Sequence, residues 1–222
     1  FWWVLSFYFL WRYVFENNND KKYIFLTSVF SAFSLGTKDQ AFGLIIGTII
    51  IIIYTSWEEK GPLLIRFKSV VYFLKTSIIT YLIVAVIPQP IRWFEHMKYW
   101  LTPSNHGIKD FIEFDFSIMG YVGLLSAIVE KISIIIPPII ILFAFLGILV
   151  QINNKLYKEL IILLIPALCY LLFFIMPIRF VYERFLLPIA IILILLAGKG
   201  IIGFYKYLIK KHFGLYVFWG IM

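Results

Sequence analysis

Little in this sequence is charged. Asp, Glu, Lys and Arg make up 14% of its 222 residues, against 62% that are hydrophobic. A soluble domain of this length carries close to twice that charge. Cysteine is nearly missing too. Cys169, the single one, lies inside an apolar run, so no intrachain disulfide is available and the redox compartment leaves no mark. No GxSxG, P-loop, CxxC or HExxH pattern occurs, which leaves hydrolase and nucleotide-binding readings without support. The net charge of +8 is not gathered into a long basic block, so no nucleic acid is expected as a partner. No fixed-period repeat stands out either.

What the chain has instead is a succession of apolar runs. About 20 residues of helix cross the hydrocarbon of a bilayer. Spans are expected at about 1–15, 23–36, 41–55, 69–88, 133–150, 160–177, 185–204 and, incompletely, 213–222. The fold class that follows is all-α: a polytopic transmembrane helix bundle, integral and multi-pass, with membrane lipids around it. The chain opens within "FWWVLSFYFLWRYVF" and closes within "GLYVFWGIM", without an initiator Met or a basic leader. It therefore reads as one transmembrane domain over 1–222, a fragment of a larger protein cut at both ends.

Sidedness follows from the basic residues. Lys21 and Lys22, then Lys60, Arg66 and Lys68, then Lys155 and Lys158, then Lys206, Lys210 and Lys211 fall on one side if 23–36 and 41–55 are two separate crossings. That side is cytoplasmic by the positive-inside rule. The opposite, extracytoplasmic face then receives Lys38, Arg179, Arg184 and the long segment 89–132. Within that segment "IRWFEHMKYW" alternates rings with charges, as suits a helix at headgroup level. The apolar stretch 116–129 is 14 residues long, short for a crossing, and is read as re-entrant or interfacial.

Three groups of polar residues invite a chemical reading. The first is "SLGTKDQAFG", which puts Lys38 and Asp39 between two apolar runs. A charge left at the bilayer centre costs about 2.5–3.5 kcal/mol on insertion scales, so a hairpin turn that lifts both residues towards the interface is favoured. The pair either tops that hairpin or belongs to a ligand site. The second is His106, Asp110, Glu113 and Asp115, the one cluster with the chemistry to hold a divalent cation. It lacks a tight ligand motif and is equally a solvated rim, so no metal and no cofactor is expected. The third is Arg179, Glu183 and Arg184 at the mouth of the span 185–204. A helix N-terminus favours anions, two guanidinium groups suit phosphate, and Glu183 can orient one of them. The alternative is that both arginines reach out to lipid headgroups.

Two stretches resemble a known family. "KKYIFLTSVFSAFSLGTKDQAFGLIIG" is similar to the part of GT-C-type glycosyltransferases in which a helix ends in a Gly-x-x-x-Lys-like turn. "ERFLLPIAIILILLAGKG" is similar to their Arg-Tyr-Leu-Leu-Pro entry into a late membrane helix, with Phe185 where Tyr is frequent. These are the transferases related to the protein O-mannosyltransferases and the lipid A aminoarabinose transferase. The resemblance implies transfer of a sugar from a polyprenyl-phosphate donor to a lipid, glycan or protein acceptor on the extracytoplasmic face of a bacterial or archaeal plasma membrane. It implies that Lys38 and Arg184, with Arg179, hold the donor phosphate. Asp39 and Glu183 would then keep the empty site from being too positive. The acidic residue that acts as base or orients the acceptor in such enzymes lies in a first extracytoplasmic loop, which is expected upstream of residue 1. A transporter or flippase, or a polysaccharide polymerase or ligase, would also handle lipid-linked glycans.

Overall fold

The computed structural model of the chain describes residues 1–16, 21–37, 41–58, 63–101, 113–179 and 181–210. Among them there is no strand. The helices are α1 (Trp2–Phe15), α2 (Lys21–Thr37), α3 (Phe42–Glu58), α4 (Leu63–Tyr81), α5 (Pro90–Leu101), α6 (Ile118–Ile135), α7 (Pro138–Asn153), α8 (Tyr157–Tyr170), the short α9 (Met176–Ile178) and α10 (Glu183–Lys210). A wide π-helical turn continues α4 through Leu82–Val86, and another joins α8 to α9 through Leu171–Ile175. Four stretches are long and apolar enough to cross a membrane: Phe67–Val86, Ile118–Ile135, Tyr157–Ile178 and Glu183–Ile209. The chain is all-α and built for a bilayer, where only internally satisfied helices or closed barrels can cross.

The residues form two compact units: Phe1–Glu113 with Leu168–Arg179, and Phe114–Ala167 with Phe180–Met222. In the first, α1 and α2 run antiparallel, since Trp2 stacks on Phe33, Ser6 pairs with Ser31 at 2.7 Å and Arg12 bonds Tyr23 at 3.0 Å. Helix α4 runs parallel to α2: Ser77 donates to the Ser28 carbonyl at 3.3 Å, and Gly36 lies level with Ala85. Helix α3, connecting them, therefore runs back, and it packs against α4, α1 and the turn Leu171–Ile175. The interior of this unit combines large apolar side chains, among them Leu10, Ile51, Ile52 and Phe73, with a row of small hydroxyl residues between α1 and α2. Ser6, Thr27, Ser28 and Ser31 are buried while Phe25 is exposed. Their hydroxyls are spent on helix carbonyls: Thr27 on Tyr23, Ser28 on Ile24, Ser6 on Thr27. Lipid tails are as apolar as leucine, so large side chains such as Phe25 can face outward, and small residues between α1 and α2 let the two backbones approach.

The second unit is organised by the contact of α7 with α10. Helix α7 buries only Ala144, Gly147 and Gln151. A Cβ on Gly147 would overlap the Leu196 carbonyl oxygen, and one on Gly200 would overlap that of Phe143 and stand 2.8 Å from the Gly147 nitrogen. The two backbones touch. A Cβ on Gly203 would meet Val150 at 2.5 Å, so residue numbers rise together along both helices and the pair is parallel. The turn 154–156 then returns α8 antiparallel to α10, with Lys199 bonded to Glu159 at 2.6 Å. One end of this unit carries Lys155, Lys158 and Lys206; the other carries Tyr182, Glu183 and Arg184.

Three expectations need correction. The apolar stretch read as 116–129 is part of an 18-residue helix, Ile118–Ile135, long enough to cross; Glu130 and Lys131 do not end it. The span drawn at 133–150 is not one helix. It breaks at Ile136–Pro137, because a residue before proline is pushed out of the helical region and Ile136 has φ −122° and ψ 125°. Pro138 then starts α7 at its first position, where a missing N–H costs nothing. Third, α10 starts at Glu183, not 185, so Pro188 lies inside the helix rather than in its first turn. The span expected at 213–222 lies outside the described residues.

The glycine contact gives a direct test. Gly147→Ala and Gly200→Ala should each destabilise the protein by about 2 kcal/mol or more, because a methyl there meets backbone that cannot move aside. Gly198 has nothing within 4 Å of an added Cβ. Gly198→Ala should therefore be neutral or slightly stabilising through helix propensity. Thermal unfolding of the three variants in detergent distinguishes these outcomes.

Candidate functional site

Arg184 is the second residue of α10, and its side chain is exposed. The guanidinium carbon lies 4.9 Å from the centre of the Tyr182 ring and 5.6 Å from that of Phe185. Both distances are within the range in which a cation is attracted to a ring face. The local sequence explains the arrangement. Tyr182 precedes the helix, its carbonyl accepts the Phe185 N–H at 2.8 Å, and that turn brings the residues on either side of Glu183 and Arg184 together. Glu183 is exposed beside them. The first N–H groups of a helix point the same way, towards incoming negative charge. Pro188, inside the helix, has no N–H to offer the carbonyl of Arg184 four residues before it.

A second cation reaches the same ring. Lys131, near the end of α6, places Nζ 5.9 Å from the centre of Tyr182. Among the described residues no carboxylate pairs with Lys131 or Arg184. The sequence reading missed Lys131 because it was counted as the end of an apolar run. It missed Tyr182 because a tyrosine beside an arginine has no significance until a second cation arrives from a distant helix.

Arg179 is placed differently. Its side chain is 1% exposed and ranks among the largest that are fully buried. It follows α9 in the left-handed region at φ 55°, uncommon for a residue with a side chain. Its N–H donates to the Ile175 carbonyl at 2.9 Å, and its own carbonyl accepts the Glu113 N–H at 3.2 Å. So the backbone of Arg179 closes the end of one helix and ties down residue 113.

Lys38 and Asp39 lie outside the described residues, and the pairing of Lys38 with Arg184 falls there with them. Thr37, just before, ends α2 with its hydroxyl on the carbonyls of Phe33 and Ser34, both at 3.0 Å. Gly43, just after, sits where a Cβ would come 2.8 Å from the Tyr170 Cα, so α3 starts in backbone contact with α8. Of the four residues with metal-ligand chemistry, His106 and Asp110 lie outside the described residues. Glu113 is engaged through its backbone as above. Asp115 accepts from the Ser117 hydroxyl at 2.6 Å and its N–H at 3.2 Å, and Ser117 in turn caps α6 through the Gly120 N–H. Among the described residues no three His, Cys, Asp or Glu side chains converge as a metal site would require.

One further charged pair was not legible in the sequence. Lys199 on α10 and Glu159 in the first turn of α8 bond at 2.6 Å, with side chains 41% and 21% exposed. Forty residues separate them, so only the antiparallel return of α8 could reveal the partner. Lys199→Ala and Glu159→Ala should each lower stability, and the double variant should lose less than the sum. A coupling of about 1 kcal/mol is expected from a double-mutant cycle read by unfolding in detergent.

No family model matches this chain, and no match to it was found among curated proteins or solved structures.

Proposed function

We propose that this chain is the membrane part of a glycosyltransferase that takes a sugar from a polyprenyl-phosphate donor, on the face to which the N-terminal end of α10 is exposed. The observation that carries the reading is Arg184: an exposed guanidinium at the start of a 28-residue apolar helix, held over two rings. A planar fork of donors so placed can hold a phosphate oxygen pair at headgroup depth. The lipid tail of such a donor would lie along the apolar helix surface.

The membrane sidedness supports the same reading. The opposite end of this unit carries Lys155, Lys158 and Lys206, which the positive-inside rule assigns to the cytoplasm, so on this reading Arg184 faces the extracytoplasmic side. In the reaction the bond between the sugar anomeric carbon and the phosphate oxygen breaks, and its electron pair stays on that oxygen. A hydroxyl of the lipid, glycan or protein acceptor bonds to the anomeric carbon and gives its proton to a carboxylate base. The phosphate thus passes from a monoanionic diester to a monoester, and cations near it favour the bond-breaking step. Arg184 supplies that cation, and Glu183 beside it limits the positive charge of the empty site. Arg179, being buried, acts from the interior of its own unit.

Arg184→Ala should lower sugar transfer strongly, by about a hundredfold, as loss of a transition-state donor does. Arg184→Lys should recover little of it, because a point charge does not replace a fork. Expression and thermal stability should stay near those of the wild type, since the side chain is exposed. The measurement is transfer from a radiolabelled polyprenyl-phosphate sugar by the full-length protein in proteoliposomes. Undiminished transfer in Arg184→Ala removes the reading.

A further inference from the structure

We infer that Lys131, Tyr182 and Arg184 form a seat for a phosphate monoester at a lipid headgroup, one that prefers the monoester to the diester. The inference rests on the transferase reading for its substrate class, but on different residues for its geometry.

Two cations share one aromatic ring. Lys131 Nζ is 5.9 Å and the Arg184 guanidinium carbon 4.9 Å from the centre of Tyr182. The ring attracts each of them, but they repel each other, and no carboxylate among the described residues is bonded to either. The charged neighbours on the two helices are Glu130, next to Lys131, and Glu183, next to Arg184; α7, which packs on α10, has no charged residue. An anion between the two cations removes the repulsion and gains charge-assisted bonds to both.

The number of cations bears on the kind of phosphate. A phosphodiester carries one negative charge. A monoester carries about 1.5 to 2 at pH 7, with its second ionisation near pH 6. A lone arginine serves a monoanion well. A second cation on the same ring adds most when the ligand carries the second charge, which is the charge that appears when the sugar leaves. The centre of the Tyr182 ring lies within 5.9 Å of both cations, and being half exposed Tyr182 leaves its surroundings open to the headgroup. The sources of such a ligand are a prenyl monophosphate and free phosphate. The length of apolar α10 beneath the seat favours the lipid.

The test is binding to the full-length protein in nanodiscs, using three probes: a short-chain prenyl monophosphate, its methyl diester, and inorganic phosphate. At pH 7.5 the wild type should bind the monoester about tenfold more tightly than the diester, as one extra charge-assisted contact gives. At pH 5.0 the two affinities should converge, and the convergence should persist in Glu130→Gln and Glu183→Gln if it belongs to the ligand. Lys131→Ala should weaken the monoester about tenfold and leave the diester within about twofold, and Lys131→Arg should restore the preference. Lys75→Ala, an exposed lysine of the other unit, should change nothing. Equal loss of both lipids in Lys131→Ala, or no loss of either, overturns the inference. Displacement by inorganic phosphate at concentrations equal to the lipid overturns the lipid source. Transfer lost in Arg184→Ala without any monoester preference leaves the transferase standing and removes this seat. A monoester preference that depends on Lys131, alongside wild-type transfer in Arg184→Ala, does the reverse.

Discussion

Helices that meet in lipid gain nothing from hiding leucine, because the solvent is itself hydrocarbon. The rest of this structure depends on that constraint. Contacts between helices are made where side chains are smallest: Gly147 against Leu196 and Gly200, Gly203 against Val150, and Gly43 against the backbone of Tyr170. Where backbones do not touch, hydroxyls bridge them, as Ser6 does to Thr27 and Ser31 and Ser77 to Ser28. Large apolar residues fill the remaining interior, as Leu10, Phe73 and Leu186 do, and also cover the outside, as Phe25, Leu142 and Ile194 do. A soluble protein with so many exposed large apolar residues would present an aggregating surface; in a bilayer it is the stable arrangement.

The α7–α10 contact has consequences beyond its own packing. Because the pair is parallel and tight, the turn at 154–156 is forced to the far end of α10 from Arg184, and α8 must return beside it. That return gives Lys199 its partner in Glu159. It also fixes which end of the unit is rich in lysine and which end presents Arg184, Tyr182 and Lys131. A chain whose α7 slid one turn along α10 would replace glycine with Leu196 or Phe204 at the crossing and could not close. The position of a cation pair at one end is thus set by three glycines nearer the other.

The end with Arg184 combines an exposed helix start, rings within cation range of Arg184 and Lys131, and a long apolar helix. The buried Arg179 shows the contrast. Both arginines belong to the same short motif, yet one is 1% exposed and shapes the backbone, while the other is exposed. Their spacing of five residues is interrupted by the left-handed conformation at Arg179, so no helical periodicity relates their side chains.

By itself the sequence determined the solvent and the element type. Scarce charge and repeated apolar runs can be accommodated only in a membrane, and only as helices, since each run carries its backbone partners within itself. It also located Arg184 at a helix start, because "ERFLLP" marks the change from polar to apolar within a few residues. It did not determine where helices break: the run through 133–150 reads as continuous until Pro137 is seen to push Ile136 out of the helix. Nor could it show that Lys131 and Arg184, 53 positions apart, attend one ring, or that Glu159 answers Lys199. Such meetings depend on helix direction and on the register at which two backbones touch. Those were decided by the tertiary structure, because close packing at glycine is a property of two surfaces and is written in neither one alone.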